Sequence, residues 1–465
     1  MTSVSDSPPE SGPRPPPDAG PRPPASPPGD GPRPRGPLLI ATAAARLPGP
    51  GAAAFMRRQQ RDWNVTVVRT SLDRLAYQIV FPYLSIYIVA LGASATQLGL
   101  VNSLGLMAAG LVSPFIGWLI DRHGPRSFYL AGIGLLAVSY LAYAVAQSWV
   151  MAIAAMIAYW LGYSISGHSC ATICGNCLVN RDRATAMMVC ETVGAGILGI
   201  VGPLIGAYVV ASSGGVDPDA IRPLFVIGLG ITAVTFVIVL TQLSPQRWSS
   251  GLAGGALFGD LRVVLRGRHR GRWLVIAGIG QLPMGMVFAF SQVYAHEVKG
   301  ADAFVLGAMA AATAAVSIVL AIPLGRLADR IGRKKVLFLT IPLFVLSNLV
   351  LIWAPTPAFL VIAGGLQAFF YLGGPVQAAM ERELVPADQM GRWIGVARIV
   401  RLLMSAAMVL VAGLIWDGIG PAFVFLAYVA IELLVRVPLL ATMSDTLGLP
   451  PTPVPVPATV ERPRG

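Results

Sequence analysis

Twelve stretches of about 20 mainly apolar residues recur along the chain, at approximately 67–92, 96–120, 127–147, 149–178, 184–211, 222–243, 273–296, 302–327, 335–354, 357–380, 392–416 and 420–442. A helix rises about 1.5 Å per residue, so roughly 20 residues cross the ~30 Å hydrocarbon core of a bilayer. Inside that core every backbone N–H and C=O must be bonded within the protein, which leaves helices or a closed barrel. The runs are continuous, not segments of roughly ten residues with alternating polarity, which favours helices over a barrel. Composition agrees: 55% of residues are hydrophobic and 12% charged, against about 25% charged in a soluble domain. The expected fold is an all-α membrane protein with twelve transmembrane helices.

The formal charge is +12, which in a soluble chain would suggest nucleic acid. That reading needs a basic surface with stacking aromatics and a fold motif, and none is present. The positive charges lie between apolar runs instead. One set of loops holds Arg122 and Arg126, Arg181 and Arg183, then Arg247, Arg262, Arg266, Arg268, Arg270 and Arg272, then Arg330, Arg333, Lys334 and Lys335, and finally Arg382 and Arg392. The opposite set holds only Arg222 and Lys299. Lys and Arg accumulate on the cytoplasmic side. An even number of spans then puts both termini in the cytoplasm, with the basic loops against anionic inner-leaflet lipid.

Residues 1–62 and 445–465 are Pro-rich and cannot bury enough apolar surface to fold, so they read as disordered cytoplasmic tails. Sixteen prolines precede residue 51, which does not fit a secretory signal. Between the tails lie a six-span unit at 63–243, a linker at 244–272 and a second six-span unit at 273–444. Cys170, Cys174, Cys177 and Cys190 lie in or beside apolar runs and suggest no disulfide framework. Cys170, Cys174 and Cys177 share a helical face that would suit a soft metal, yet cysteine is also a common packing residue and His168 falls on another face. No metal site and no cofactor is expected.

The two units repeat one loop: GWLIDRHGPR at 117–126 and GRLADRIGRK at 325–334, with Asp121 and Asp329 208 residues apart. Arg183 and Arg392 keep nearly the same offset, 209 residues. A repeat of six helices preserves orientation, so the halves should be related by an axis along the membrane normal. In each loop the glycines permit a tight turn and close helix approach, and the aspartate stands at a helix end.

This loop resembles the signature between the second and third helices of the major facilitator superfamily. It is carried by Gly117, Asp121, Arg122, Gly124 and Arg126, and again by Gly325, Asp329, Arg330, Gly332, Arg333 and Lys334. The first copy departs at Pro125, which replaces a basic residue. ERELVPADQMGRW at 381–393 is similar to the family's loop between the tenth and eleventh helices. The resemblance spans about residues 65–442 and implies a loop that gates access against the eleventh helix. It also implies a central cavity lined by the first, fourth, seventh and tenth helices. Those helices would bring Tyr77, Gln78 and Tyr83; His168; Gln281, Phe288 and Gln292; and Gln367, Phe370, Tyr371 and Gln377. Amides and aromatics suit a midplane site for a small organic solute, and equally suit hydrogen bonding between helices.

GILGIVGPLIGA at 196–207 is similar to the glycine–proline motif of antiporters in the superfamily, although small residues also serve simple packing. Ala158 stands where many proton-coupled drug exporters of the superfamily carry an arginine. Charges within membrane spans are functional candidates by default. Asp73 and Arg74 in the first span, Glu191 in the fifth, and Arg398 and Arg401 in the eleventh are therefore coupling candidates, with a Glu191–Arg74 pair foreseen. Pairing with Glu381 or Glu383 is an alternative role for Arg398 and Arg401. Arg69, Glu297, Glu432 and Arg436 read as groups at the membrane interface.

With no GxxxxGK[ST] phosphate loop, an ion gradient is the expected energy source. The reading is a monomeric secondary transporter exporting a small organic compound in exchange for protons. Proton-coupled uptake of a sugar or organic acid is the alternative, and a non-transporting receptor the alternative of another class. An enzyme would need clustered ligand residues, whereas His123, His168, His269 and His296 are scattered.

Overall fold

The computed structural model describes residues 61–177, 196–244, 270–385 and 390–443. Their regular structure is helical throughout. The first six helices are α1 (Arg61–Ala90), α2 (Ala95–His123), α3 (Pro125–Ala144), α4 (Trp149–Cys177), α5 (Ile197–Ser212) and α6 (Pro218–Gln242). After them come α7 (Arg270–Val298), α8 (Ala303–Ile331), α9 (Arg333–Trp353), α10 (Pro357–Leu384), α11 (Met390–Gly418) and α12 (Pro421–Ala441). Among the described residues, ten helices are long and apolar enough to cross a membrane. The other two are α1, whose hydropathy is lowered by Asp73, Arg74 and Gln78, and α5, described for 16 residues.

Helix boundaries follow local chemistry. Pro125, Pro218, Pro357 and Pro421 open their helices, where a missing N–H costs nothing. Ser94 and Gln97 form a capping box at the start of α2. The two repeated loops turn in the same way, on Gly124 at φ 86° and Gly332 at φ 108°. Pro125 thus fits its departure from the motif: it occupies the first turn of α3, where Arg333 opens α9.

Two helices are interrupted. Helix α7 runs as Arg270–Ile279, Leu282–Met286 and Phe288–Val293, then a π turn at Tyr294–Val298. Pro283 brings no N–H to the carbonyl four residues earlier, which accounts for the first break. In α12 a π turn at Glu432–Arg436 separates Pro421–Ile431 from Val437–Ala441.

Packing repeats with an increment of six helices. Helix α1 packs on α5 and α6, α3 on α4 and α6, and α2 on α4; correspondingly α7 packs on α11 and α12, α9 on α10 and α12, and α8 on α10. The two sets meet through α2 against α11 and α5 against α8. Both seams close tightly towards the far end, where α1 finishes and α2 begins. A Cβ added to Gly413 would stand 2.5 Å from the Ala95 carbonyl oxygen, and one on Gly99 2.6 Å from that of Val409. A Cβ on Gly307 would stand 2.8 Å from the Pro203 oxygen and from the Ala207 Cβ. Only glycine lets these backbones approach so closely. Hydrogen bonds cross the same end: the Thr96 N–H donates to Asp417 Oδ2 at 2.8 Å, and the Tyr83 hydroxyl donates to the Ala303 carbonyl at 2.8 Å.

Candidate functional site

Two aromatic strips face each other between the halves. On one side, Tyr77 of α1 stacks at 6.1 Å on Tyr159 of α4, which stacks at 6.3 Å on Tyr163. On the other, Phe288 of α7 lies 5.1 Å from Phe370 and 5.2 Å from Tyr371, both of α10. The Tyr77 phenol lies within electrostatic range of Tyr371, Tyr163 and Arg74, which brings the strips together. Tyr163 and Tyr371 are 41% and 42% exposed.

A polar cluster adjoins the strip on α4. The guanidinium of Arg398, from α11, donates to Ser164 Oγ at 3.4 Å. His168 is held at both ring nitrogens, Nδ1 at 2.7 Å from the Ser164 carbonyl and Nε2 at 3.3 Å from Ser113 Oγ of α2. Arg398 lies within electrostatic range of His168 and Tyr163. Sequence reasoning singled out His168, but not the serines that orient it.

The remaining predicted lining residues are dispersed. Tyr83 is fully buried in the far-end seam. Gln78 lies along α5, its Cβ 2.7 Å from where a Gly202 side chain would begin. Gly206 abuts the Ile79 carbonyl in the same way, so the glycine stripe of α5 is a packing face towards α1. Gln281 sits at the first break of α7, where its carbonyl accepts from Ser405. Gln292 and Gln367 are buried, each with one amide atom lacking a hydrogen-bond partner. Gln377 lines a separate small cavity with Glu432 and Arg436.

The intramembrane charges are arranged otherwise than expected. Arg69 is covered by protein: it is 3% exposed, lies 5.0 Å over the Tyr129 ring and pairs with Asp73 at 3.4 Å. Helix α1 is described from Arg61, so Arg69 stands two turns along its described length, beneath Tyr129 of α3. Arg401 pairs with Glu381 across α10 and α11. Glu432 and Arg436 are likewise buried within the protein: they are 0% and 5% exposed and form an ion pair within the π turn. Their i, i+4 spacing in an apolar run was the signal that sequence reasoning missed. All of Glu191, the side chains of Cys174 and Cys177, that of Asp121 and the surroundings of Gly117 lie outside the described residues. Cys170 has its sulfur 4.0 Å from the Thr70 hydroxyl.

In the repeated loops, Arg122 lies 4.1 Å over the Trp118 ring, and Arg126 donates to the Leu240 carbonyl at 2.8 Å. Asp329 faces Arg333 at 3.9 Å, Arg330 is exposed, and Lys334 donates to the Ala441 and Met443 carbonyls at 2.8 and 2.6 Å. Gly325 is exposed with nothing within 4 Å of an added Cβ, so no close helix approach occurs there.

The sequence model described as Major Facilitator Superfamily matches residues 70–322 and 277–463. Among similar proteins, the multidrug resistance protein MdtG of Dickeya zeae is 27% identical over 292 residues, 60% of this chain and 67% of the relative. MdtG of Serratia proteamaculans is 25% identical over 303 residues, 62% of this chain and 70% of the relative. A mutant of the nucleoside transporter NupG has a similar crystal structure, with a TM-score of 0.71 at 14% identity over 83% of this chain and 100% of its own. The human organic anion transporter MFSD10 follows at 0.58 and 18% identity, over 82% of this chain and 99% of its own.

Proposed function

We infer, from the premise that the chain belongs to the Major Facilitator Superfamily, that this multi-pass membrane protein exports a small organic solute in exchange for protons. Twelve helices form two six-helix bundles that rock about a midplane site. Both termini, the near end and the basic loops face the cytoplasm. The observation that carries this reading is the pairing of a tightly packed far-end seam with aromatic strips whose tyrosines remain partly exposed. The halves lock through Gly413 on Ala95 and Gly307 on Pro203, while Tyr163 and Tyr371 stay 41% and 42% exposed.

Aromatic rings and a few fixed polar groups, here Arg398, Ser164 and His168, suit solutes that combine an apolar body with a polar tip. Arg74 stands beside Tyr77 and Tyr371 at the same strips. The export direction rests on the likeness to proteins named for multidrug resistance. Asp121 and Asp329 gate the near end. The Arg69–Asp73 pair and Arg398 are the coupling candidates nearest the strips, and the chain acts as a monomer.

The test is flux. The full chain is reconstituted in proteoliposomes with an imposed pH gradient, and movement of ethidium and of fluorescein is followed as cationic and anionic probes. Gradient-dependent accumulation of either dye, abolished by a protonophore, is the expected result. Dye movement indifferent to the gradient would overturn proton coupling.

A further inference from the structure

The Glu432–Arg436 pair lies outside the aromatic strips and plays no part in the reading above. It is a full ion pair with 0% and 5% exposure, set among mainly apolar side chains in the second half of α12. Ionisable groups at membrane depth are costly and are retained where they move ions or protons. The helix is distorted where they stand, since the five residues Glu432–Arg436 form a π turn. Such turns are frequent at functional sites, because they break the regular hydrogen-bond ladder.

The pair is incompletely satisfied. Glu432 bonds Arg436 through one carboxylate oxygen and stands in hydrogen-bond reach of the Tyr428 hydroxyl, while the Arg436 Nε is buried without a hydrogen-bond partner. A cavity of about 20 Å³ opens beside them, bounded by Thr340, Phe344, Phe370, Gln377 and Tyr428. That volume holds about one water molecule. Helix α10 carries Gln377 on this cavity and Tyr371 in the second aromatic strip, so a single helix borders both.

Arg436 also touches the break in α7. A Cβ on Gly280 would stand 2.8 Å from its Nη2, so the guanidinium lies flat on backbone that only glycine leaves open. Just beyond, Pro283 offers no N–H to the carbonyl of Ile279. The guanidinium therefore stands between a carboxylate on its own helix and an under-bonded stretch of α7.

The other charged groups on the helices packed here are engaged elsewhere. Lys334 of α9 binds the carbonyls of Ala441 and Met443, and Arg272 of α7 faces the Thr442 hydroxyl. Arg401 of α11 holds Glu381 of α10. On α7, Glu297 and His296 stand at the opposite end, in the second π turn. On α12 itself, Tyr428 lies within electrostatic range of both members of the pair.

We propose that Glu432 is a proton-binding site and that its protonation releases Arg436 onto the broken segment of α7. The proton adds to the Glu432 carboxylate from the small cavity, and the carboxylate becomes a neutral acid. The guanidinium then loses its counter-charge in a region where an unpaired cation is costly, and carbonyls of α7 are the acceptors within reach. Protonation thus favours a different arrangement of α7, one of the helices carrying the strips. This rests on the proton-coupled reading above and supplies it with a site in the second half of the chain.

The experiment is infrared difference spectroscopy on the full-length protein in lipid nanodiscs, from mildly alkaline to mildly acidic pH. The wild type should show a protonated-carboxyl band that is lost in Glu432→Gln and kept, displaced in frequency, in Glu432→Asp. Removing the neighbouring cation in Arg436→Gln should shift the pH range over which the band appears, because the two side chains are in direct contact. A band unchanged in Glu432→Gln would overturn the proposal. Should Glu432→Gln fail to fold, a titration unmoved by Arg436→Gln would overturn it equally. In the flux assay, pH-driven dye movement should be lost in Glu432→Gln. Wild-type flux that ignores the gradient defeats the coupled-transport reading alone, whereas gradient-driven flux that survives Glu432→Gln defeats the role of this site alone.

Discussion

Arg126 and Lys334 make the same contact in the two halves of the chain. Arg126, at the start of α3, donates to the Leu240 carbonyl in the last turn of α6. Lys334, at the start of α9, donates to the carbonyls of Ala441 and Met443 at the end of α12. The last carbonyls of a helix lack internal partners and carry the negative end of its dipole, so a cation there is favourable. The final basic residue of the repeated loop thus fastens the third helix of each half to the sixth. Either cation changed to Met should cost roughly 0.5–2 kcal/mol of stability. Thermal unfolding in detergent checks this, and unchanged melting of both variants would contradict the fastening role.

The loop glycines should respond unequally. Gly124 and Gly332 adopt φ of 86° and 108°, where a side chain strains the backbone, while Gly325 has nothing within 4 Å of an added Cβ. Gly332→Ala and Gly124→Ala should each cost about 1–2 kcal/mol. Gly325→Ala, within α8, should be neutral or stabilising by up to ~1 kcal/mol. Equal effects at all three positions would refute the assignment.

The far-end seam should be breakable without unfolding the halves. Gly413→Val and Gly307→Val each place atoms where backbone already stands within 3 Å. Overpacking costs roughly 1–3 kcal/mol, here paid only when the halves close at this end. The account expects folded protein, increased labelling of a cysteine placed at Ser94, and lost transport. Wild-type transport by both variants would remove the seam from the mechanism.

Asp73→Asn leaves Arg69 buried without its counter-charge, which typically costs about 3–5 kcal/mol. Replacing both by apolar residues, Arg69→Met with Asp73→Leu, should be much milder. A double-mutant cycle on thermal stability should show a coupling above ~1 kcal/mol. Additive effects would mean that the pair is incidental.

Much of the fold was legible because membrane burial forces long apolar runs. The helices from α2 to α4 and from α8 to α12 start and stop within a few residues of the predicted spans, where Gly92, Pro125 and Pro357 mark the turns. Less of the site was legible. Depth along a span says nothing of which neighbour covers a residue: Arg69 was assigned to the interface, yet Tyr129 of α3 covers it. Helix breaks are also weakly written. Gly280 and Pro283 stand in an apolar run like any other, and what distinguishes them is Arg436, 153 positions after Pro283, lying against the break. The aromatic pairing of Tyr77 with Tyr159 is half visible in the sequence: Tyr77 falls on a span expected to line the cavity, while nothing in the apolar run of α4 sets Tyr159 apart.

The central claim is that the two ends of the molecule open in alternation, and paired spin labels test it most directly. One pair joins exposed Ser213 and Phe304 across the α5–α8 seam at the far end, and a second joins exposed His123 and Ile331 on the two repeated loops at the near end. Cys170, Cys174, Cys177 and Cys190 are replaced by serine for labelling. Electron–electron distance measurements in nanodiscs should give two populations for each pair, with the far-end distance lengthening as the near-end distance shortens and the balance shifting with pH. A single fixed distance for both pairs at every pH would contradict the account.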